Sequence, residues 1–282
     1  MRRRAALPLA MVLVPAATGL AGPLLAPLVA ADPGPPFAAP GGGYPLGTDR
    51  LGRDVLTQLL LGGRSVLAVS LAAVALAYAV GGAIGLAAAA ARRGWADAAL
   101  LRPLDVVMGV PSLLMISVVA VWWSSQAAVI AAVVAVTNAP GVARLVRAAA
   151  LDAVSAPVFQ AMRLQGESRA RLYFGYVGRR VLRPVAADTG TRITAAIALV
   201  ASANFLGLGP GPTAPDWAVA VAHNRTGLTV QPLAPLAPVA MLVSFTVGLN
   251  LLWDRAIRAR TQPGPRREWT WTGPNRSPKR RA

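Results

Sequence analysis

The sequence contains no cysteine, one lysine (Lys279) and one histidine (His223). Without cysteine the chain can form no disulfide, no thiolate metal site and no cysteine nucleophile. A phosphate-binding G-x-x-x-x-G-K-[ST] loop requires a lysine within a glycine-rich motif. Lys279 does not lie in one, which excludes a P-loop ATPase. A single histidine also excludes a multi-histidine metal centre. We therefore expect no catalytic residue, no metal site and no cofactor bound by this chain.

Charged residues are also scarce, at 14% of the 282 residues, whereas soluble domains contain about 25%. A transmembrane helix needs about 20 apolar residues. Each long uncharged run fits one span, except that 106–143 fits two with a turn near Trp122–Gln126. The sequence therefore predicts an all-α polytopic membrane protein with about six transmembrane helices. The uncharged runs are 5–31, 65–91, 106–143, 193–215 and 226–253.

The positive charge is distributed unevenly. A net charge of +17 would by itself indicate nucleic-acid binding. However, 24 of the 28 basic residues fall in segments that share one side of the membrane when Met1 is placed inside. This positive-inside bias argues against nucleic acid as a partner and predicts that both termini are cytoplasmic. The segments expected inside are 1–4, 92–105, 144–192 and 254–282.

Residues 1–31 are expected to form the first transmembrane helix. The arginines at 2–4 before an apolar stretch also fit a signal peptide ending near Ala31, but its apolar region would be only about 7–15 residues long. Several prolines make this stretch a poor isolated helix, so we expect it to lean on its neighbours. Residues 32–64 are expected to form an external segment, and residues 255–282 a basic, disordered cytoplasmic tail.

No residue inside the predicted spans is charged, which argues against a proton-coupled or ion-coupled carrier. Gly81, Gly82 and Gly85 have the spacing of a close helix contact. Pro111 is expected to kink the third span, and the tryptophans at 122–123 are expected at the membrane interface.

Residues 144–192 form the longest loop between predicted spans. Pro157 fits the first turn of a helix and Gly166 fits its C-terminal stop, which predicts a short helix over 157–165. Arg144 and Arg147 are expected to snorkel at the inner membrane boundary. A loop this basic can bind anionic lipid or dock a protein, and its composition does not choose between them.

Several motifs occur in an order that resembles one family. Residues 47–54 read G-T-D-R-L-G-R-D, and Gly63-Arg64-Ser65 follows. From about residue 1 to 260, order and spacing resemble the second permease subunit of dipeptide, oligopeptide and nickel ABC importers, in the binding-protein-dependent transport family. The other matching motifs are Asp105 with Pro111-Ser112, Ala143-Arg144-Leu145-Val146-Arg147, Asn204 to Gly209, Pro215-Asp216-Trp217, and Asn250-Leu251 with Asp254.

This resemblance implies a type I ABC importer permease with its core at 65–254. Such a subunit is not an enzyme. It pairs with a homologous permease in the bacterial inner membrane, and two separate ATPase subunits bind ATP. An external binding protein delivers the substrate, here a dipeptide or oligopeptide. A stand-alone scaffold that binds anionic membrane lipid is the alternative from another class.

The resemblance also implies a site for the ATPase. In this family the long cytoplasmic loop carries an E-A-A…G coupling helix that docks into a cleft on the ATPase subunit. The matching residues here are Gln160, Ala161, Met162 and Gly166. Gln160 replaces a glutamate, so a charge-assisted contact with the ATPase is expected to weaken. Met162 replaces an alanine.

Two external elements each leave two interpretations open. The signature at 47–54 contacts the binding protein or the partner permease, or it forms a cap whose charged residues pair internally. The outer mouth at 205–209 is a gate or docking element, or a packed helix terminus. Asp216 and Trp217 are expected to anchor at the membrane interface, and His223 to be solvated. The signature residues are Gly47, Thr48, Asp49, Leu51, Gly52, Arg53 and Asp54, and the outer-mouth residues are Phe205, Leu206, Gly207, Leu208 and Gly209.

Overall fold

The computed structural model describes residues 2–91, 94–123 and 126–261. These residues are predominantly helical and contain isolated bridges but no strand, which confirms the all-α prediction. The helices are α1 (Arg2–Val29), α2 (Val55–Ala90), α3 (Gly94–Met108), α4 (Ser112–Trp122), α5 (Ala127–Ser155), α6 (Pro157–Leu164), a π-helix (Arg171–Val177), α7 (Gly178–Phe205), α8 (Trp217–Asn224), a 3₁₀ turn (Arg225–Gly227) and α9 (Leu233–Thr261).

The long helices form one bundle. Helix α2 packs along α5, α1 packs against α2 and α9, and α7 packs against α5. Small residues allow the close approach of α2 to α5: a Cβ at Gly85 would lie 2.4 Å from the carbonyl oxygen of Ala143. The expected contact role of these glycines is therefore confirmed for Gly81 and Gly85, while a Cβ added at Gly82 would meet no atom of another element within 4 Å. Helix α1 packs against α2 and α9, as expected for a proline-rich helix that is poor in isolation.

Four helices are long and apolar enough to cross a membrane, namely α1, α2, α5 and α9. The pair α3 and α4 would make a fifth if it counts as one broken span. The prediction of about six spans exceeds this number because α7 is not among them. Helix α7 has 28 residues, but Arg183, Asp188 and Arg192 interrupt its apolar stretch.

The third predicted span is a bent pair of helices rather than a single kinked helix. Helices α3 and α4 meet at an angle of 86°, and α4 has only 11 residues, about 16 Å of helix. Pro111 lies at the N-cap of α4 with extended backbone (ψ 127°), and its ring disfavours helical geometry at the preceding residue. The bend therefore lies where the kink was expected. The break after Trp122 was also predicted.

Four predicted connections are partly helical. Helix α2 occupies 55–64 of the expected external segment 32–64, and α5, α6, the π-helix and α7 occupy most of the expected loop 144–192. The loop expected at 92–105 is occupied from Gly94 by α3, and the tail expected from residue 255 begins as the last turns of α9. Residues 262–282 of the predicted tail lie outside the described residues. The short helix predicted over 157–165 is confirmed as α6.

Candidate functional site

The predicted functional residues lie at two ends of the bundle. One end, called here the loop end, comprises α6, the π-helix and the start of α7. The other, called the signature end, comprises the segments 32–54 and 206–232. The structure gathers the coupling residues at the loop end. It brings the signature and the outer mouth together at the signature end.

Helix α6 is held at the loop end by one aromatic side chain. Pro157 occupies its first turn, and only Ala156 separates it from α5. Phe159 is 3% exposed and packs against Tyr173 and Tyr176, at centroid distances of 5.9 and 6.2 Å. Helix α6 is therefore in contact both with α5 and with the helical segment that continues into α7.

The opposite side of α6 is exposed. Val158 is 52% and Leu164 is 88% exposed, and Gln160 and Ala161 are exposed as well. The Gln160 amide donates a hydrogen bond to the carbonyl oxygen of Val154 at 3.0 Å. Helix α6 thus presents a small apolar surface. Sequence analysis missed both the anchor Phe159 and the exposed Leu164, although Phe159 is the only aromatic residue in α6.

Gly166 ends the α6 region in a left-handed conformation, with φ +77°. The amide of Gly166 donates to the carbonyl of Arg163, and the amide of Glu167 donates to the carbonyl of Met162, each at 3.2 Å. This pair of bonds is the Schellman motif, in which glycine is strongly favoured. The predicted role of Gly166 as the helix stop therefore has a direct structural basis.

The signature at 47–54 folds into a turn with internal bonds. The Asp49 carboxylate accepts hydrogen bonds from the amides of Leu51 and Arg53 and from the Arg53 guanidinium, each at 2.8 Å. The Asp54 carboxylate caps α2 by accepting from the amides of Leu56 and Thr57. These contacts match the structured-cap interpretation.

The same turn is tied to the other segment of the signature end. The Gln231 amide donates to the carbonyl of Leu46 at 2.6 Å, and the Arg53 guanidinium donates to the carbonyl of Thr213 at 3.0 Å. Gly47 has φ +75°, and a Cβ there would lie 1.9 Å from the Gln231 nitrogen. Gln231 was not singled out from the sequence, because its partner lies 185 residues away.

The outer mouth is the end of α7. Leu208 donates its amide to the carbonyl of Ala203 and Gly207 donates to Asn204, at 3.0 and 3.1 Å, so this helix also ends in a Schellman motif. This geometry matches the packed-terminus interpretation. Phe205 and Leu206 are nevertheless exposed, at 39% and 56%, and they line a shallow apolar groove with α8 and α9.

Asp216 joins α7 to α8. Its carboxylate caps α8 by accepting from the amides of Ala218 and Val219, and it accepts a third bond from the Asn204 amide at 3.0 Å. Asp216 is 1% exposed. Burial raises the pKa of this carboxyl, while the hydrogen bonds it accepts act in the opposite direction.

Trp217 is not an interfacial anchor, contrary to the prediction. It is fully buried, and its indole nitrogen donates to the carbonyl of Leu59 at 2.8 Å. The ring fits against Gly62 and Gly63 of α2, where a Cβ would approach it to 2.7 and 2.5 Å. Trp217 therefore locks α8 onto α2. Asp216, its neighbour, is likewise a helix cap rather than an anchor.

Arg144 and Arg147 were expected to snorkel, but the structure pairs both with α3. The Arg147 guanidinium donates to both carboxylate oxygens of Asp97, and Arg144 forms an ion pair with Asp105. Sequence analysis missed these pairs because the partners lie 50 and 39 residues apart. They hold α3 against α5.

No group of three or more histidine, cysteine, aspartate or glutamate residues that could hold a metal occurs within 2–91, 94–123 and 126–261. His223 is partly exposed, and its Nδ1 lies 3.4 Å from the Arg50 guanidinium. Burial lowers the pKa of His223, and the neighbouring arginines Arg50, Arg53 and Arg225 lower it further.

The bundle of apolar helices, with a structured loop at one end, is that of a polytopic membrane protein. Residues 81–260 match the model of the family described as binding-protein-dependent transport system inner membrane component. The chain belongs to this family. It is a permease subunit of an importer rather than an enzyme, and membership in this family implies ATPase and binding-protein partners in general.

Characterised relatives cover most of the chain. It is 31% identical to a glutathione transport system permease protein, GsiD, of Pectobacterium atrosepticum, over 76% of this chain and 71% of that protein. It is 31% identical to a dipeptide transport system permease protein, DppC, of Alkalihalophilus pseudofirmus, over 74% of this chain and 68% of that protein. None of these relatives supports the alternative of a lipid-binding scaffold.

Solved structures of ABC transporters share the fold. A chain of the MetNI methionine ABC transporter in an inward-facing conformation matches with a TM-score of 0.59 at 15% identity, over 73% of this chain and 97% of that one. An amino acid ABC transporter matches with a TM-score of 0.54 at 14% identity, over 69% of this chain and 90% of that one. These neighbours support the type I importer fold.

Proposed function

We propose that this chain is one of two homologous permease subunits that together enclose a path for small peptides across the bacterial inner membrane. Two ATPase subunits bind at the loop end, which faces the cytoplasm together with both termini. A binding protein delivers the substrate to the signature end. The positive-inside bias supports this orientation. The relatives named for dipeptide and glutathione transport support a short peptide as the substrate.

The geometry of α6 carries the proposal. Its exposed apolar side, with Val158 and Leu164, offers a docking surface, and its buried anchor Phe159 connects that surface to the π-helix. ATP-driven closure of the ATPase pair displaces α6. The displacement reaches α5 because only Ala156 separates it from α6, and it reaches α7 through the contact of Phe159 with the π-helix. The path between the two permeases then opens alternately to the two sides of the membrane.

Gln160 contributes to docking of the ATPase as a neutral residue. In place of a glutamate it can still donate and accept hydrogen bonds, but without a charge. The docking surface therefore depends on apolar contact and on the shape fixed by Gly166 more than on an ion pair. A restored carboxylate, Gln160→Glu, tests whether the ATPase partner still offers a cation at this position.

The test is uptake by cells. A strain lacking this chain is complemented with the wild type or with Gly166→Pro, and uptake of a radiolabelled dipeptide and of radiolabelled glutathione is measured separately. We expect uptake of one of the two to depend on the wild-type chain and to fall at least tenfold with Gly166→Pro. If the deletion leaves uptake of both substrates unchanged, the proposed peptide substrate is wrong.

A further inference from the structure

Two charged residues of α7 lie beside the apolar middle of α2. The Asp188 carboxylate accepts a hydrogen bond from the Tyr78 hydroxyl at 2.9 Å and another from the Arg192 guanidinium at 2.7 Å. Tyr78 is the central residue of the uncharged run 65–91, in a helix long and apolar enough to cross a membrane. The loop predicted over 144–192 includes both charged residues, but the bond to Tyr78 places them at membrane depth.

The pair leaves polar groups unused on both partners. The bonds from Tyr78 and Arg192 both end on the Oδ2 atom of Asp188. Within the part of the chain that the structure describes, the Oδ1 atom of Asp188 and the two terminal nitrogens of Arg192 have no hydrogen-bond partner. Each of the two side chains keeps 23% of its surface exposed. Charged groups at this depth cost free energy unless water or a ligand reaches them.

Gly141 of α5 sets the position of the guanidinium. A Cβ at Gly141 would lie 2.6 Å from each of the two terminal nitrogens of Arg192, so the group fits there because glycine has no side chain. The guanidinium is thus held between the Asp188 carboxylate and the backbone of α5. A group that is already fixed loses little conformational entropy when it binds a ligand.

The exposed face of α7 beside the pair differs from that of a lipid-facing helix. Leu182 and Phe205 are exposed, but none of the large apolar residues between them is. Apart from Arg183, the exposed residues between them are alanines and one threonine. Helix α1, in contrast, exposes leucines along its length, namely Leu7, Leu13, Leu20, Leu24 and Leu28. A charged pair beside a face without large apolar side chains is typical of a water-filled path.

The chemistry of the pair favours a ligand that carries both charges. The two terminal nitrogens of Arg192 form a fork that binds a carboxylate in a bidentate manner. The neighbouring Asp188 repels a simple anion such as phosphate, but its free Oδ1 atom attracts an ammonium group. A peptide carries one carboxylate and one ammonium group at its ends. The pair therefore fits a free peptide better than a soluble anion.

We propose that the exposed face of α7 borders the path of the substrate, and that Arg192 binds the terminal carboxylate of the transported peptide there. Asp188 offers its free oxygen to the ammonium group of the peptide, and Tyr78 acts as a positioning residue that holds Asp188. This inference rests on the proposed function, since it takes a peptide as the substrate. It adds the residues of this chain that distinguish a free peptide from one whose carboxylate is blocked.

The experiment uses the absence of cysteine from the chain. Ala195→Cys places a thiol one turn from Arg192 on the exposed face of α7, and Leu20→Cys places one on the exposed side of α1. Both full-length variants are produced with their partner subunits, in membranes opened so that solutes reach both sides. The tagged chain is then purified to measure its reaction rate with an anionic and a cationic methanethiosulfonate reagent. Each reaction is repeated with a dipeptide and with its C-terminal amide.

We expect Ala195→Cys to react with both reagents and Leu20→Cys to react with neither, because a thiol in lipid does not ionise. The dipeptide should slow the reaction of Ala195→Cys, and its amide should require about tenfold more for the same protection, since it lacks the charged partner of Arg192. Adding Arg192→Gln should remove this difference. It should also shift the preference toward the cationic reagent, because the Asp188 charge then stands alone.

Two further variants separate binding from folding. Asp188→Asn/Arg192→Gln removes both charges together, so no unpaired charge is left at membrane depth, and it should also abolish the difference between dipeptide and amide. Tyr78→Phe keeps both charges and should raise the half-protecting concentration of the dipeptide by less than Arg192→Gln does. Each comparison is a ratio measured within one protein, so a smaller amount of folded chain does not change it.

Several results would overturn the inference. If Ala195→Cys reacts with neither reagent, or no faster than Leu20→Cys, the face of α7 does not border water. Equal protection by dipeptide and amide, protection by neither, or a difference that persists with Arg192→Gln would show that Arg192 does not bind the carboxylate. Dipeptide uptake that depends on the chain, together with a cysteine that no peptide protects, would leave the proposed function standing. Failure of the proposed function would appear instead as peptide uptake that is unchanged in the deletion strain.

Discussion

The ring of Phe159 in α6 meets the ring of Tyr173 in the π-helix edge to face, with the ring planes at 76°. Phe159 is buried on the inner side of α6, whereas the outer side of the same helix is exposed. The two sides of α6 can therefore be altered separately, one for stability and one for docking.

Phe159→Ala removes the anchor. Truncation of a buried phenylalanine costs about 3–5 kcal/mol, so we expect a clearly lower unfolding temperature in detergent, measured by intrinsic tryptophan fluorescence. Leu164→Ala is the matched variant on the outer side. Because Leu164 is 88% exposed, its truncation should leave the unfolding temperature within a degree or two while weakening recovery of the ATPase. Equal unfolding temperatures for the two variants would contradict this division of roles.

The glycines of α2 make a second prediction. A Cβ at Gly81 would lie 2.6 Å from the carbonyl oxygen of Ala139, and one at Gly85 would lie 2.4 Å from that of Ala143. Gly81→Ala and Gly85→Ala should each destabilise the bundle by about 1–3 kcal/mol through overpacking. Gly82→Ala meets no atom within 4 Å and should be neutral or stabilising by up to about 1 kcal/mol. A destabilised Gly82→Ala would show that α2 and α5 pack differently.

Asp216 makes a third prediction. Asp216→Ala removes the cap of α8 and leaves the Asn204 amide without its acceptor, so we expect a loss of about 2–3 kcal/mol. Asp216→Asn keeps an oxygen that can cap the helix and should cost less. The measurement is thermal unfolding of both variants under one detergent condition. If the two variants lose equal stability, capping is not what Asp216 contributes.

His223 makes a prediction about pH. Its pKa in the folded chain lies below the unfolded value of 6.5, so the unfolded chain binds more protons between the two values. Its contribution is therefore constant above pH 6.5 and becomes destabilising as pH falls below that value. Asp216, with a pKa raised above 3.8, acts in the opposite direction at lower pH.

We expect the unfolding temperature of the wild type to fall further between pH 7.5 and pH 5.5 than that of His223→Gln, which has no titrating group at this position. The variant keeps Asp216, so the difference between the two proteins isolates the histidine. An identical pH dependence would mean that burial and the neighbouring arginines do not lower the pKa of His223 in solution.

Local signals in the sequence predicted the elements that depend on neighbouring residues. Pro157 and Gly166 bracket α6 because a helix start and a helix stop are each decided within one turn. The ion pair of Asp49 with Arg53 has the same basis, whereas Asp54 caps α2 instead of pairing with them. The break after Trp122 followed from the length of the uncharged run.

Features decided by distant residues were missed. Trp217 lies in a segment that the sequence assigned to the membrane boundary, but Gly62 and Gly63 provide a site for its ring within the bundle. Arg147 has Asp97 as its partner only because α3 folds against α5. The bend between α3 and α4 was foreseen at Pro111, but its size depends on how α4 packs against α5 and α7.

The central claim is that α6 couples this permease to an ATPase. It is tested most directly by affinity purification of tagged wild type, Gln165→Ala and Gly166→Pro in mild detergent, with and without nucleotide. Gly166→Pro cannot adopt the observed φ of +77°, whereas Gln165→Ala changes an exposed side chain next to it. The account predicts that a P-loop ATPase is recovered with the wild type and Gln165→Ala and is lost or reduced with Gly166→Pro. Equal recovery with Gly166→Pro, or no ATPase with the wild type under any nucleotide condition, would contradict it.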